Sequence, residues 1–169
     1  KGFVATRSVD AGIQNLLFTD VRSAEEVREC IQLIRAETPE DGGVHGCGMR
    51  RGAGYFYGSG PDWVKAMQDV VCAFMIEKKG AMENLEEILS IPGVDMVQFG
   101  PSDYSISIGK PGQGGSPEVQ KVQRDMIEMA LKHNVAPRVE LGSFEQAKPF
   151  VDMGVRHFCI GWDVRTIYA

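Results

Sequence analysis

A glycine followed by a short link and then an apolar run recurs three times along this chain, at residues 12–18, 93–99 and 154–160. In α/β proteins a helix often ends on a glycine in the left-handed conformation, and a buried strand follows two or three residues later. Two further apolar runs, residues 70–76 and 135–140, also predict strands, although a proline inside the second weakens that prediction. Five strands that alternate with helices predict a parallel sheet with right-handed crossovers.

Helix start signals lie between these strands. Ser23 and Ser143 each begin a capping box, in which the serine hydroxyl and a Glu or Gln three residues later satisfy backbone donors. Ser116 precedes a proline, which is typical of the first helical position. Apolar residues at helical spacing follow each cap, and residues 82–89 indicate another short helix. Core packing explains these apolar stripes, so they carry no prediction about function.

The composition excludes several classes of function. Of the 169 residues, 43% are hydrophobic and 24% are charged, which is typical of one globular domain, so we assign residues 1–169 to a single domain. The formal net charge of -5, without a block of Lys or Arg, argues against nucleic acid or an anionic membrane as a partner. No apolar stretch approaches the roughly 20 residues of a spanning helix, and no signal-peptide pattern begins the chain, so we expect a cytoplasmic protein.

The four cysteines, Cys30, Cys47, Cys72 and Cys159, are scattered without a CxxC pair. Zinc sites need clustered Cys and His residues, so this spacing argues against one. We therefore interpret the cysteines as small, reduced hydrophobic side chains of a cytosolic protein.

An acidic residue follows the end of two of the predicted strands. The second strand ends in Glu77, and Asp103 lies shortly beyond the third. Because ligands of parallel α/β folds bind at the carboxyl ends of the strands, we expect both carboxylates to face a site. Two simpler explanations remain open. Asp103 could cap a short helix through residues 104–108, and Glu77 could stabilise the N-terminus of the helix that follows it.

Two carboxylates suit a hard divalent cation, because Mg²⁺ typically accepts one or two of them and keeps other positions for water and substrate. A metal held by Glu77 and Asp103 could chelate a 2-oxo acid through its carboxylate and ketone oxygens. As a Lewis acid, it would stabilise the enolate that forms when a C3–C4 bond breaks. Gly100 would let backbone and substrate approach closely, and Pro101 would stiffen the turn.

Two motifs contain these acids, Met75-Ile76-Glu77 and Gly100-Pro101-Ser102-Asp103-Tyr104-Ser105, and a third, Ile91-Pro92-Gly93-Val94-Asp95, lies between them. Together with Asp10-Ala11-Gly12 and Gly161-Trp162-Asp163, they resemble the 4-hydroxy-2-oxo-acid aldolase family over nearly the whole chain. That family includes 4-hydroxy-2-oxoheptane-1,7-dioate aldolase, 2-dehydro-3-deoxyglucarate aldolase and macrophomate synthase. The resemblance implies a (β/α)8 TIM barrel, of which this chain supplies roughly strands 4 to 8 and forms the C-terminal part.

The resemblance also implies roles for individual residues. Glu77 and Asp103 are expected to bind a divalent metal cation, Mg²⁺ or Mn²⁺ with Co²⁺ as an option, and the turn of Gly100, Pro101 and Ser102 to shape the pocket for the oxo acid.

The resemblance implies further groups outside this sequence. The family's catalytic Arg and His are expected upstream of Lys1, so the catalytic residues of this chain are unknown. We expect a fragment that is poorly stable alone, and a homo-oligomeric parent protein, commonly a hexamer in the family.

Five positions depart from the family pattern. Tyr104 replaces the usual Leu, Lys78 stands where Thr is common, and His45 lies where Arg-Gly is usual. Arg138 and Glu140 occupy positions where the family tends to have Gly and an aliphatic residue. We interpret Tyr104 as a packed ring. Arg138 could bind a distal carboxylate of an acidic substrate, although an ordinary ion pair would also explain it.

These patterns predict a class II pyruvate aldolase, a carbon–carbon lyase that cleaves a small 4-hydroxy-2-oxo acid to pyruvate and an aldehyde. An oxaloacetate-type decarboxylase or an acyl-CoA lyase would use the same metal chemistry, although the sequence has no convincing basic patch for a nucleotide. A non-catalytic barrel relative with a binding or assembly role is the third hypothesis, and the departures at Tyr104, His45 and Arg138 leave room for it.

Overall fold

The sheet is parallel throughout, as the sequence predicts. A computed structural model of the protein describes residues 2–47 and 60–168. Five strands pair in chain order, every pair is parallel, and the sheet curls into half of a barrel. The strands are β1 (Asn15–Phe18), β2 (Val71–Ile76), β3 (Met96–Phe99), β4 (Ala136–Leu141) and β5 (His157–Ile160).

Helices connect the strands, and none within the described ranges is long and apolar enough to cross a membrane. A 3-10 helix, Phe144–Ala147, leads directly into the helix that precedes β5. The helices are α1 (Gly2–Asp10), α2 (Ala24–Gln32), α3 (Gly60–Gln68), α4 (Lys79–Glu83), α5 (Leu85–Leu89), α6 (Pro101–Ser107), α7 (Pro117–Lys132), α8 (Lys148–Met153) and α9 (Asp163–Ile167).

The first residue of the sequence, Lys1, lies outside the described residues, which begin at Gly2 in α1. The expectation that the catalytic Arg and His lie upstream of Lys1 concerns a part of the protein beyond these 169 residues. It therefore stays a prediction, which the structure neither confirms nor contradicts.

The two faces of the sheet differ in burial. On β2, Cys72, Phe74 and Ile76 are fully buried in the core, where α7 packs against the neighbouring strands β3 and β4. Because successive side chains of a strand point to opposite faces, Met75 lies on the other, concave face, where it is only half-buried and lines a cavity. The helix-covered face therefore supplies the core, and the concave face supplies the walls of the cavity.

The glycine joints adopt the conformation that the sequence pattern predicts. Gly12, Gly93 and Gly154 have φ angles of 93°, 92° and 107°, a region that side chains with a Cβ rarely occupy. Gly154 is also the C-cap of α8. The fourth strand forms despite its proline, and Pro137 lies opposite Val97 in the register of β3 and β4. The five predicted strands are confirmed.

The predicted helix caps are also present. The Ser23 hydroxyl accepts from the Glu26 N–H at 3.2 Å, but the Glu26 carboxylate accepts from the Arg22 N–H, one residue before the predicted donor. At Ser143 both bonds of the capping box form, on the 3-10 helix. Ser116 caps α7 through its hydroxyl. The structure confirms the helix starts predicted at Ser23, Ser116 and Ser143. At Ser23 the bond from the Glu26 carboxylate goes to Arg22 and not to Ser23.

The cysteines are free, as expected, but they do not share one environment. Cys30 and Cys72 are buried, Cys159 is half-buried and Cys47 is exposed. The interpretation of the cysteines as small hydrophobic side chains is therefore wrong for Cys47, because its side chain is exposed.

Candidate functional site

Residues at the carboxyl ends of four neighbouring strands line a cavity of about 520 Å³. Glu77 follows β2, Asp103 lies beyond β3, Glu140 is near the end of β4, and Trp162 follows β5. The cavity lies where parallel α/β folds bind ligands. Of the residues that the sequence singles out, the structure brings together Glu77, Gly100, Pro101, Ser102 and Asp103 at this cavity.

Glu77 is held in place from the neighbouring strand. Its side chain is buried, with a relative exposure of 5%, and its Oε1 atom accepts from the backbone N–H of Asp20 at 2.8 Å. Asp20 follows β1 and has a φ angle of 60°, which is uncommon for a residue other than glycine. The N-cap of α4 is Lys78, so Glu77 adjoins that helix without capping it. A bond between two strand ends therefore fixes one carboxylate oxygen.

The turn after β3 places a glycine against this carboxylate. A Cβ atom added at Gly100 would lie 2.6 Å from Glu77 Oε2 and 2.7 Å from Glu77 Cβ, which is closer than real Cβ contacts come. Gly100 is the N-cap of α6, with Pro101 at the first helical position. Asp103 lies in the first turn of α6, so the prediction that it caps a helix starting at Tyr104 is wrong.

Asp103 is more exposed than Glu77 and pairs with a lysine. Its side chain has a relative exposure of 54%, and Lys78 Nζ donates to its Oδ1 atom at 3.2 Å. The same ammonium lies 2.8 Å from Asp20 Oδ1. The hydrogen bond to Asp20, followed by that to Asp103, raises the pKa of Lys78 above its usual value. A positive charge therefore lies between Asp20 and Asp103.

The carboxylates fit a divalent cation by the chemistry of their donor atoms. Within residues 2–47 and 60–168, no group of three or more His, Cys, Asp or Glu side chains is arranged to hold a metal ion. Mg²⁺ does not need such a group, because it binds through one or two carboxylates and keeps water or substrate as further ligands. Glu77 has one oxygen fixed and the other against Gly100, and Asp103 lies in the helix that follows the next strand. These two carboxylates meet that requirement. The ammonium of Lys78 competes for Asp103.

Arg138 is not among the residues that line the described cavity. Its guanidinium donates to the side-chain oxygen of Gln98, its neighbour across the β3–β4 pair. Gln98 Nε2 in turn donates to Glu140 Oε2 at 3.2 Å, and the indole N–H of Trp162 donates to Glu140 Oε1. The hydrogen-bond partner of the Arg138 guanidinium is therefore the amide of Gln98 and not a carboxylate.

The structure also settles the other departures from the family pattern. Tyr104 is buried and its ring packs on Phe99 with centroids 5.2 Å apart, so the interpretation as a packed ring is confirmed. Burial raises the pKa of Tyr104. His45 is buried between Asp10, at 3.1 Å, and the Leu33 carbonyl, at 3.1 Å. Both side chains have structural contacts and neither lines the cavity.

Sequence reasoning missed two residues of this site. Asp20 was not selected, although its backbone N–H orients Glu77 across 57 positions of sequence. Gln98 was not selected either, although a polar residue between Val97 and Phe99 in an apolar strand is itself a signal. A buried amide in such a run must find partners, and Gln98 finds them in Glu140 and Arg138 of the neighbouring strand.

Comparison with known proteins gives consistent matches. A family model described as HpcH/HpaI aldolase/citrate lyase matches residues 2–168. A 4-hydroxy-2-oxo-heptane-1,7-dioate aldolase of Klebsiella pneumoniae subsp. pneumoniae is 31% identical over 160 residues, which cover 94% of this chain and 59% of that protein. A protein of the same name from Escherichia coli is also 31% identical, over 94% of this chain and 60% of its own length.

Solved structures share the fold. An HpcH/HpaI aldolase/citrate lyase family protein from Burkholderia cenocepacia J2315 superimposes with a TM-score of 0.88 and 25% identity, over 99% of this chain and 66% of that one. Macrophomate synthase superimposes with a TM-score of 0.79 and 20% identity, over 99% of this chain and 59% of that one. The chain thus spans about three fifths of the length of the curated relatives that it matches.

Proposed function

Because the chain belongs to the HpcH/HpaI aldolase/citrate lyase family, we propose that its parent protein is a divalent-metal-dependent aldolase. The reaction is the cleavage of a 4-hydroxy-2-oxo acid to pyruvate and an aldehyde. The observation that carries the proposal is the placement of Glu77 and Asp103, which follow consecutive strands and line one cavity. Relatives named as aldolases of a 4-hydroxy-2-oxo acid, at 31% identity, support the same reaction.

Each residue has a defined task in this reaction. A bound Mg²⁺ or Mn²⁺, with Co²⁺ as an option, would supply Lewis acidity toward the oxygens of the 2-oxo acid. Glu77 and Asp103 would hold the cation, and the Asp20 N–H keeps the Glu77 carboxylate in one orientation. Gly100, Pro101 and Ser102 line the cavity, and we assign to them the wall against which the oxo acid lies. Gly100 must lack a side chain, because a Cβ atom there would collide with Glu77.

The proton transfers of this reaction need acid–base groups, and the motifs matched in this sequence do not include them. The resemblance assigns them to an Arg and a His, which we place upstream of Lys1. We likewise propose that the chain is one domain and corresponds to strands 4 to 8 of a (β/α)8 barrel. Five parallel strands in order and a match to about three fifths of the curated relatives support that assignment. The parent protein is proposed to be a cytoplasmic homo-oligomer, a hexamer by resemblance.

Two other functions compete with this proposal. Decarboxylation of an oxaloacetate-like acid or lysis of an acyl-CoA would use the same carboxylates, and the family description includes citrate lyase. A non-catalytic relative gains support from the ion pair between Lys78 and Asp103, which occupies one of the two proposed ligands.

A direct assay of the full-length protein separates the aldolase from the decarboxylase and from the non-catalytic relative. Pyruvate is a product of both aldol cleavage and oxaloacetate decarboxylation, so the second product must be measured, as aldehyde or as CO₂. We expect aldehyde release from a 4-hydroxy-2-oxo acid with Mg²⁺ or Mn²⁺ and none with EDTA. CO₂ release from oxaloacetate without aldol cleavage would favour the decarboxylase. No turnover of either acid, with metal binding absent, would favour the non-catalytic relative.

A further inference from the structure

The cavity contains a carboxylate that the metal site does not use. Glu140 lies near the end of β4, and both of its oxygens accept hydrogen bonds, one from Gln98 and one from the indole of Trp162. Neither donor is charged. A carboxylate offers about four acceptor positions, so two remain free for a ligand. Glu140 is therefore a negative charge held in one orientation by neutral donors, with capacity to accept further hydrogen bonds.

Arg138 is not among the residues that line this cavity. It donates to the Gln98 oxygen, and because arginine has only donors, this bond fixes which end of the amide faces Arg138. The NH₂ group of Gln98 must then point to Glu140, as observed. Arg138 thus orients Gln98, and Gln98 orients Glu140. The arginine that the sequence offered as a partner for an acidic substrate instead supports an acid in the cavity wall.

The charges of the cavity follow from this arrangement. Glu77, Asp103 and Glu140 line it, together with neutral amides such as Gln123. A divalent cation would balance Glu77 and Asp103, whereas the hydrogen bonds that reach Glu140 come from the neutral side chains of Gln98 and Trp162. Such a carboxylate repels an acidic ligand and accepts hydrogen bonds from hydroxyl groups.

We infer that Glu140 determines specificity for the aldehyde half of the substrate, and that this aldehyde is neutral and hydroxylated. The inference rests on the proposed aldolase function and narrows its substrate class. It separates this protein from relatives whose name specifies a heptane-1,7-dioate, because the corresponding aldehyde of such a substrate carries a carboxylate.

The test uses the addition direction with full-length protein and Mg²⁺. In this reaction the methyl group of pyruvate gives up one proton, its carbon bonds to the aldehyde carbon, and the aldehyde oxygen takes up one proton to become the C4 hydroxyl. Two aldehydes are compared by kcat/KM: glyceraldehyde, which is neutral and hydroxylated, and succinic semialdehyde, which is acidic. The unaltered protein is measured first, so the test does not depend on the folding of a variant.

We expect the unaltered protein to prefer glyceraldehyde by about tenfold or more, because the hydroxyl groups of glyceraldehyde can donate to the Glu140 carboxylate, which repels the carboxylate of succinic semialdehyde. Glu140→Gln should shift the kcat/KM ratio by about tenfold toward succinic semialdehyde. Glu86→Gln, which removes the same charge from α5 away from the cavity, should leave the ratio unchanged.

A preference of the unaltered protein for succinic semialdehyde, or an equal ratio in Glu140→Gln and Glu86→Gln, would overturn the inference. The failure of the proposed function looks different. In that case the unaltered protein would add pyruvate to neither aldehyde and would not exchange the methyl protons of pyruvate.

Discussion

The absence of a side chain at Gly100 makes room for the carboxylate of Glu77. A Cβ at that position would lie 2.6 Å from Glu77 Oε2 and 3.0 Å from the Met75 methyl carbon. Glu77 cannot retreat easily, because its other oxygen is bound to the Asp20 N–H. The position of the Glu77 carboxylate therefore depends on the absence of a side chain at Gly100.

Gly100→Ala tests this dependence. We expect the added methyl group to push Glu77 out of position, to destabilise the protein by about 1–3 kcal/mol as overpacking does, and to weaken Mn²⁺ binding. Gly115→Ala is the matched control, since a Cβ there would meet no atom within 4 Å. Calorimetric titration with Mn²⁺ and thermal unfolding check both effects. Equal metal affinity in the two variants would show that Gly100 does not position Glu77.

Lys78→Met is expected to strengthen metal binding. The Lys78 ammonium lies 3.2 Å from Asp103 Oδ1 and competes with a cation for that carboxylate. Exposed ion pairs contribute about 0–1 kcal/mol, so the affinity for Mn²⁺ should rise by up to roughly fivefold. Lys79→Met, which removes an exposed charge paired with Glu83, should change the affinity less. A fall in affinity on loss of Lys78 would mean that the lysine assists the site instead.

Cys72 predicts a specific pH dependence of stability. Burial raises the pKa of this thiol from 9.0 to about 11. Above pH 9 the thiol ionises in the unfolded chain but stays protonated in the folded one, so the free energy of unfolding falls as the pH rises toward 11. The loss attributable to Cys72 should be about 2 kcal/mol across this window.

Chemical denaturation at several pH values checks this prediction. The stability of Cys72→Ala should depend less on pH than that of the unaltered protein, while Cys47→Ala, at an exposed position, should retain the full dependence. Parallel curves for the unaltered protein and Cys72→Ala would show that this thiol does not govern alkaline stability.

The elements of this fold were predictable because their signals are local. Three of the predicted strands begin three residues after a glycine, at Gly12, Gly93 and Gly154. Ser23, Ser116 and Ser143 mark helix starts through bonds to backbone groups three residues away or fewer. The position of Glu77 and Asp103 at strand ends follows from the same local pattern together with the rule that parallel strands share one edge.

The partners of the site residues were not predictable, because they come from distant parts of the chain. Glu77 is oriented by a residue 57 positions away, and Arg138 by one 40 positions away. The sequence left Arg138 as either a ligand for a distal substrate carboxylate or a member of an ordinary ion pair, whereas its hydrogen-bond partner, Gln98, lies on the neighbouring strand. His45 likewise has its partner, Asp10, 35 positions earlier.

Deuterium uptake into the methyl group of pyruvate, followed by NMR, tests the central claim most directly, since it needs no knowledge of the aldehyde. With full-length protein we expect uptake with Mg²⁺ or Mn²⁺, none with EDTA, and a loss of about hundredfold or more in Glu77→Gln and in Asp103→Asn. Asp125→Asn, on the exposed surface of α7, should exchange at the unaltered rate. Unaltered exchange in EDTA, or in both carboxylate variants, would contradict a metal-dependent aldolase site at Glu77 and Asp103.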